Sequence, residues 1–316
     1  MKAWLGGALL LISSAAGAAD SDAAFAWLQR IANAAHQLNY TGHFIYQHGE
    51  ITEASRIVHL GGAQGEQEKI TLLDGPPRQL YRNNDEVYCF NTGDNSVMIV
   101  TPRVKRRFPA LLPEEVAGLR EFYDVRLGEQ HRIAGRNTQQ IILEPRDGFR
   151  YGHRLWVDTQ TALLLKASTW NEKRGIVDQF AFTQIKIGGS IDHNDVKPPL
   201  AGKKIVRSTG EGNPNGVPMD AGWEVGAVPP GFKRVVAMKR VLPGAHMPVN
   251  HIVYSDGLAA ASIFIEPADA NTEWGIAHQG AIHVFTRKLG NQQIKVLGEV
   301  PAATVTQIAE AVSFHK

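Results

Sequence analysis

Short segments of alternating apolar and polar residues fill the chain between residues 40 and 187, and small polar turns separate them. Alternation of this kind predicts antiparallel strands joined by hairpins, because successive side chains of a strand point to opposite faces. The pattern predicts about ten or eleven strands before residue 190. An open sheet of that size tends to curl. We therefore expect a mainly β, α+β protein built on a large curved antiparallel half-barrel.

Residues 148–187 depart from strict alternation. Leu163, Leu164 and Leu165 follow one another, and Trp156 precedes Val157. Consecutive apolar residues on a strand place apolar side chains on both of its faces. We expect a helix to cover one face of this sheet, and a second domain or an apolar ligand to cover the other.

A helix is predicted over residues 20–38, ahead of the first strand. Its apolar residues recur every three or four positions, which defines one face of a helix. These residues are Phe25, Leu28, Ile31, Ala35 and Leu38. This amphipathic helix is the natural cover for one face of the sheet.

The N-terminus has the pattern of a targeting signal. Lys2 gives a positive start, residues 3–12 are apolar, and small residues continue to Ala19. The apolar core is too short to anchor the chain in a bilayer. We expect residues 1–19 to be a signal peptide and the mature protein to be exported and soluble.

The C-terminal part of the chain predicts a second domain. Residues 189–221 are rich in glycine and proline, which indicates a linker between residues 20–188 and residues 222–316. Asp256-Gly257 is a strong hairpin signal between two apolar strands. Pro301 opens a helix. One face of that helix carries Val305, Ile308, Ala309 and Val312. A smaller α+β domain results.

Composition narrows the class of protein. A chain of 316 residues favours two domains, and a formal net charge of +2 gives no argument for nucleic acid. Cys89 is the only cysteine, so no internal disulfide can form. Its apolar strand context indicates a buried small side chain; an intermolecular disulfide or a nucleophile is the alternative.

Motifs for catalysis or cofactor binding are absent from the sequence. There is no nucleophile elbow, phosphate loop, His-Glu-x-x-His motif or cysteine pair. Three histidine pairs are each five residues apart: His43 and His48, His246 and His251, His278 and His283. Odd spacing on one strand places the two rings on opposite faces. We expect no metal, no cofactor and no enzymatic activity.

A basic loop bounded by Pro102 and Pro109 is a candidate binding site. It carries Arg103, Lys105, Arg106 and Arg107. Arginine pairs well with carboxylates and phosphates. The loop could bind an acidic partner segment or anionic lipid headgroups; the alternative is a solvated loop without a role.

The chain contains RYGHRLWVD at residues 150–158, YSDGLA at 254–259 and GEVP at 298–301. These motifs resemble those of the MucB/RseB family of periplasmic regulators. The resemblance extends over nearly the whole mature chain. The first domain is also similar, more distantly, to LolA/LolB-type lipoprotein carriers.

The resemblance implies a periplasmic negative regulator of an envelope-stress sigma factor. Such a protein binds the periplasmic part of a transmembrane anti-sigma factor and shields it from proteolysis. Lipid or lipopolysaccharide would loosen that binding. The alternative is a periplasmic carrier of lipoprotein or lipid, and an enzyme acting on lipid or glycan is a weaker reading.

Aromatic and apolar side chains supply the candidate contacts. The concave face of the first domain could hold acyl chains, since ligand pockets are mainly apolar. Its candidate lining residues are Phe44, Tyr46, Tyr88, Phe90, Trp156, Leu164, Trp170, Phe180 and Phe182; ordinary core packing is the alternative. Tyr254, Phe264 and Trp274 are candidate exposed contacts for the partner, and unpaired sheet edges could support self-association.

Overall fold

The structure is a computed structural model that describes residues 13–62, 65–90, 95–100, 108–171, 175–207, 222–241, 247–269 and 272–315. These residues form two sheet domains, as the alternation predicts. The helices are α1 (Ser13–Gln37), α2 (His193–Val196) and α3 (Ala302–Glu310), with a 3-10 turn at Ala117–Glu121. None of the helices in these ranges is long and apolar enough to cross a membrane.

Twelve strands form the sheet of the first domain. They are β1 (Tyr40–His48), β2 (Ile51–Leu60), β3 (Gln67–Leu72), β4 (Gln79–Asn83), β5 (Glu86–Phe90), β6 (Ser96–Val100), β7 (Tyr123–Ile133), β8 (Arg136–Pro145), β9 (Gly152–Asp158), β10 (Leu164–Asn171), β11 (Gly175–Ile187) and β12 (Lys204–Arg207). Their order is β12-β6-β5-β4-β3-β2-β1-β11-β10-β9-β8-β7. Eleven of them precede residue 190, which confirms the predicted antiparallel sheet.

Helix α1 covers part of this sheet. Phe25, Leu28 and Ile31 are buried in one cluster with Ile141 and Leu143 of β8. Burying each large apolar side chain contributes about 1.5–3 kcal/mol. The predicted covering helix is therefore confirmed, although α1 begins at Ser13 rather than at residue 20.

The leucine run on β10 lies at an irregularity of the sheet. The register between β9 and β10 shifts between Leu164 and Lys166, which interrupts strict alternation. Leu163, Leu164 and Leu165 are all fully buried in the same cluster that α1 contacts. The run therefore reflects a bulge in the core, and Leu164 does not point to a separate apolar face as we expected.

The predicted linker contains regular structure. Both α2 and β12 lie within residues 189–221, and β12 adds to the first sheet by parallel pairing with β6. Ile205 and Val206 of β12 are half exposed. Its two apolar residues are adjacent and exposed, so this strand shows no alternation of apolar and polar positions and was not predicted. Residues 208–221 lie outside the described ranges.

The second domain contains eight strands in the ranges described. They are β13 (Trp223–Val225), β14 (Lys233–Val241), β15 (Pro248–Ser255), β16 (Ala260–Pro267), β17 (Gly275–Gln279), β18 (Ile282–Leu289), β19 (Gln292–Gly298) and β20 (Val312–Phe314). Six form a sheet in the order β14-β15-β16-β19-β18-β17, and β13 pairs with β20. Val305 and Ile308 of α3 are fully buried in the core of this domain.

One residue of the predicted C-terminal helix belongs to a strand instead. Helix α3 ends at Glu310, and Val312 pairs with Val225 in the ribbon of β13 and β20. Val312 is still buried in the core that α3 covers. Valine and phenylalanine suit a strand, and pairing with Trp223–Val225 satisfies the backbone there.

Candidate functional site between the two domains

A cavity of about 330 Å³ lies where the twelve-stranded sheet meets the second domain. Its lining is mainly apolar with a few polar groups, which is the usual composition of a ligand pocket. The first domain contributes Phe108, Leu111, Leu112, His153, Leu155, Ala167, Thr169, Asp178 and Phe180, and the second contributes Leu258, Ala260 and Glu299. The cavity therefore suits a ligand with an apolar body.

Stacked aromatic rings form one wall of the cavity. The Phe180 ring stacks on Phe108 at 5.4 Å and on Tyr46 at 4.2 Å between centroids. Phe44 lies 5.5 Å from Phe108 in the same group. Aromatic pairs of this kind contribute about 0.5–1.5 kcal/mol beyond the area they bury. These contacts hold the wall in place.

The cavity has an acidic side. Asp178 on β11 is 5% exposed, and this burial raises the pKa of its carboxyl, although hydrogen bonds from Thr169 act in the opposite direction. Glu299 lines the cavity from the second domain. Burial, followed by the charges of Asp178 and Glu299, raises the pKa of the Tyr46 phenol. A bound ligand would meet negative or protonated carboxyl groups at this side.

Arg150 fastens the second domain beside the cavity. Its side chain is fully buried, with Nε 2.9 Å from Oδ2 of Asp256, in an ion pair without hydrogen-bond alignment. Nη1 donates to Asp147 at 2.6 Å, and Nη2 donates to the carbonyl of Pro230 at 2.6 Å. The guanidinium also lies 5.2 Å from the Phe232 ring centroid. A buried charge requires such partners, because desolvation is otherwise too costly.

The residues on either side of Arg150 add two further contacts between the domains. The Tyr151 hydroxyl lies 3.1 Å from Nδ1 of His283. The Thr304 hydroxyl donates to the carbonyl of Phe149 at 2.6 Å. Tyr151 also packs with Val177 and Ala281 in a small apolar cluster. Three consecutive residues of the β8–β9 connection thus hold the second domain in position.

The structure distributes the predicted lipid-contact residues over several places. Phe180 lines the cavity, and Tyr46 and Phe44 stand behind it in the aromatic group. Phe182 and Leu164 are buried in the main core. Tyr88 and Phe90 belong to a separate cluster with Tyr81.

Two tryptophans of that set lie on the sheet face opposite the main core. Lys166 lies 4.5 Å from the ring centroid of Trp156, and Arg154 lies 5.1 Å from that of Trp170. Burial lowers the pKa of Lys166. Cations packed on rings cover this face in place of the second domain or ligand that we expected there.

The predicted partner contacts also differ among themselves. Arg103, Lys105, Arg106 and Arg107 lie outside the described residues. Trp274 is 49% exposed, whereas Phe264 stacks on His251 at 4.4 Å. Tyr254 is 8% exposed and belongs to the core under α3, so the expectation that it is exposed is wrong. Its strand β15 is internal to the sheet, with β14 and β16 on either side.

The prediction that each histidine pair points to opposite faces is wrong for His278 and His283. His278 and His283 do not lie on one strand: a turn separates them, and they pair directly across β17 and β18 with rings 5.4 Å apart. A separation of five residues places the two rings side by side here, because the hairpin turn lies between them. His246 lies outside the described ranges. Cys89 is partly buried, between register partners Leu80 and Met98.

Sequence reasoning missed the residues that join the domains. Arg150 and Tyr151 stand next to each other in a connection, and their partners lie far away in the chain. The available signal was an arginine between two aromatic residues and three positions after Asp147.

Comparison with known proteins assigns the family. The MucB/RseB N-terminal domain matches residues 23–200, and the MucB/RseB C-terminal domain matches residues 218–313. The chain belongs to the MucB/RseB family. The resemblance seen in the sequence motifs is thereby confirmed.

Relatives align with both domains. Sigma factor AlgU regulatory protein MucB of Pseudomonas aeruginosa is 28% identical over 96% of this chain and 93% of its own length. A crystal structure of MucB in complex with MucA(peri) aligns with a TM-score of 0.73 at 27% identity, covering 93% of this chain and 99% of that chain. The complex structure of Pseudomonas aeruginosa MucA/MucB gives the same values. The two-domain fold is thus that of the MucB structures.

Proposed function

We propose that this member of the MucB/RseB family is a periplasmic negative regulator of an envelope-stress sigma factor. It is exported by the signal peptide at residues 1–19 and binds the periplasmic segment of a transmembrane anti-sigma factor. Binding shields that segment from proteolysis. The observation that carries this proposal is the alignment of both domains with MucB bound to MucA(peri).

The second domain supplies a surface suited to an extended partner. β17 is an edge strand of the six-stranded sheet. Trp274 and Ile276 are about half exposed at this edge. An extended peptide can add to such an edge through main-chain hydrogen bonds, and its side chains then contact apolar residues there. We place part of the partner contact on this edge.

The cavity between the domains supports lipid sensing. Its apolar wall around Phe180 suits an acyl chain, and it is bounded by both domains. A ligand that fills it contacts Leu155 and Ala167 on one side and Leu258 and Ala260 on the other. Such a ligand changes the balance between the docked and separated domains, because its binding free energy depends on their relative position. Bound lipid would therefore weaken binding of the anti-sigma segment.

The protein acts by binding, and we propose no catalytic step. The names of its relatives describe regulatory proteins. Asp178 and Glu299 are the acidic groups of the cavity, and their place beside an apolar wall suits recognition of a ligand headgroup or hydroxyl.

A protection assay tests the proposal. The protein is mixed with the periplasmic segment of the cognate anti-sigma factor, the site-one protease is added, and cleavage is followed with and without lipopolysaccharide. We expect protection that lipopolysaccharide relieves. Protection that lipopolysaccharide does not change would support the regulatory role and contradict lipid sensing.

The alternative function is a lipid or lipoprotein carrier, which the apolar cavity would also serve. A carrier would bind lipid without protecting the anti-sigma segment. Absence of both binding and protection in the same assay would therefore overturn the regulator and favour the carrier. The oligomeric state of the protein in that assay also tests the predicted self-association.

A further inference from the structure

A second group of titratable residues lies inside the first domain, at the C-terminal end of α1. His59 on β2 and Glu68 on β3 are register partners, so their side chains share one face of the sheet. Glu66 stands just before β3. One ligand atom from each of His59, Glu66 and Glu68 lies within 4.8 Å of the other two. This three-residue group is called the His59 cluster below.

His59 has the surroundings of a metal ligand. Its side chain is fully buried, and Nδ1 lies 2.8 Å from the carbonyl oxygen of Leu38. A carbonyl only accepts, so Nδ1 carries the proton and Nε2 faces Oε1 of Glu66 at 3.1 Å. The Tyr40 ring stacks on the imidazole at 4.4 Å and fixes its plane. Metal-binding histidines are oriented in this manner, with the second nitrogen donating to a carbonyl.

Glu68 is the second, independent observation. It is 3% exposed, and its Oε1 is buried without a hydrogen-bond partner in the part of the chain that the structure describes. Leaving a buried polar atom unsatisfied costs about 1–3 kcal/mol, and more for a charged group. A bound cation next to Glu68 would satisfy this oxygen.

Neighbouring residues hold Glu66 in place. Its Oε2 accepts a hydrogen bond from Nδ1 of His36 at 2.9 Å, and Nη1 of Arg82 lies 3.4 Å from Oε1. Glu66 and Glu68 thus bring two carboxyl groups to the place where Arg82 contacts Glu66. Two acidic groups beside one guanidinium favour a divalent cation.

We propose that His59, Glu66 and Glu68 bind a zinc ion, with water completing the coordination. Imidazole and carboxylate ligands suit zinc, and sites with three protein ligands keep one open position. A cavity of about 520 Å³ that His36, Glu66 and Arg82 help to line gives access. The ion would tie β2 to β3 directly and to the end of α1 through His36 and Leu38.

This proposal departs from the sequence-based expectation of no metal. That expectation considered histidine pairs on single strands. The His59 cluster instead combines adjacent strands, and only the register of β2 against β3 brings His59 beside Glu68.

Zinc binding to the purified, untagged protein tests the proposal. The protein is dialysed against chelator, incubated with Zn²⁺ alone, desalted and analysed for bound metal and by X-ray absorption. We expect one zinc per chain, nitrogen and oxygen ligands including imidazole, and a higher melting temperature. Ca²⁺ and Mg²⁺ at the same concentration should not reproduce the shift, because they select all-oxygen sites.

Variants connect the ion to the residues. Glu68→Gln keeps the side-chain shape and removes the charge, and His36→Gln removes the donor to Glu66 from a partly exposed position. Each should weaken zinc binding by about tenfold to a hundredfold. His315→Gln is the control, since His315 and Glu224 form an exposed pair at 3.5 Å that could bind metal adventitiously.

Two results would overturn the proposal. Wild-type protein that retains no zinc would show that the His59 cluster is an imidazolium–carboxylate network, whatever the variants do. Zinc lost through His315→Gln but retained in both Glu68→Gln and His36→Gln would place the ion at the surface.

Discussion

The two sheets of this protein are covered differently, and the difference locates the candidate site. The core of the six-stranded sheet is filled by its own domain: α3 contributes Val305 and Ile308, and Ile263 and Val296 are fully buried beneath it. The twelve-stranded sheet spans roughly 50 Å across its strands, whereas one helix is about 10–12 Å wide. Helix α1 therefore covers only part of it, and the second domain covers more.

The second domain packs less tightly against the twelve-stranded sheet than residues pack within a domain core. Protein interiors are close-packed, so a core such as that around Ile263 leaves no room for a ligand. At the contact between the domains, Leu258 and Ala260 approach Phe180 and Leu155 and leave a cavity of about 330 Å³. The second domain therefore has a closed core that stabilises it, whereas the contact between the domains leaves room for a ligand.

The largest effect should come from the ion pair that holds the cover in place. Arg150→Met leaves Asp147 and Asp256 without their buried partner. We expect the docked arrangement to lose about 3–5 kcal/mol, because an uncompensated buried charge remains. Urea unfolding and small-angle scattering should show a less stable and more extended protein.

Arg146→Met is the matched control for that experiment. Arg146 pairs with Asp124 at 2.8 Å, and both side chains are more than half exposed. Such a pair contributes about 0–1 kcal/mol. Equal losses in the two variants would contradict the assignment of Arg150 as the fastening between the domains.

Neighbouring alanines on β16 compare closed core and cavity directly. Ala261 is 1% exposed in the core of the second domain, whereas Ala260 lines the cavity. Ala261→Phe should overpack the core and cost about 1–3 kcal/mol. Ala260→Phe can place its ring in the cavity and should change stability by less than about 1 kcal/mol.

Chemical denaturation of the two alanine variants measures this difference. If Ala260→Phe destabilised the protein as strongly as Ala261→Phe, the contact between the domains would be as tightly packed as a core, and the comparison would fail.

A smaller effect should follow pH at the acidic side of the cavity. Because burial raises the pKa of Asp178, the charged form is less stable in the folded protein than in the unfolded chain. That penalty is fully present above the folded pKa and vanishes as pH falls below the ordinary aspartate value of about 3.9. Asp178→Asn should therefore raise the melting temperature at neutral pH.

Calorimetry at about pH 7 and about pH 3.5 checks the sign. The advantage of Asp178→Asn should shrink at the lower pH, where wild-type Asp178 is mostly protonated in both states. Asp124→Asn, at an exposed position, is the control. An advantage that grew on acidification would contradict the account.

Periodicity predicted the elements that bury a continuous apolar face. The strands up to Ile187, helix α1 and the strands on either side of Asp256 follow this rule. Periodicity did not predict strands β12, β17 and β20. They are only three to five residues long, and most of their residues are exposed or are held in place by pairing with another strand. Their pairing depends on distant residues that local patterning does not contain.

The candidate site was predictable only in part. Phe180 was expected to contact a ligand as one of the aromatic residues assigned to the concave face of the first domain, and it does line the cavity. Leu258, Ala260 and Glu299 were not found, since they reach the cavity only through the docking of the second domain. Trp156 and Trp170 share the composition of pocket residues but lie under cations on the opposite face.

Release of the partner on lipid binding is the most direct test of the central claim. A fluorescently labelled periplasmic segment of the anti-sigma factor is bound to the wild-type protein and to Ala260→Phe, and anisotropy is followed during titration with lipopolysaccharide. We expect release from the wild-type protein and retention by Ala260→Phe, in which the new ring fills the cavity. Equal release from both proteins would show that lipid acts elsewhere and would contradict the role of the cavity.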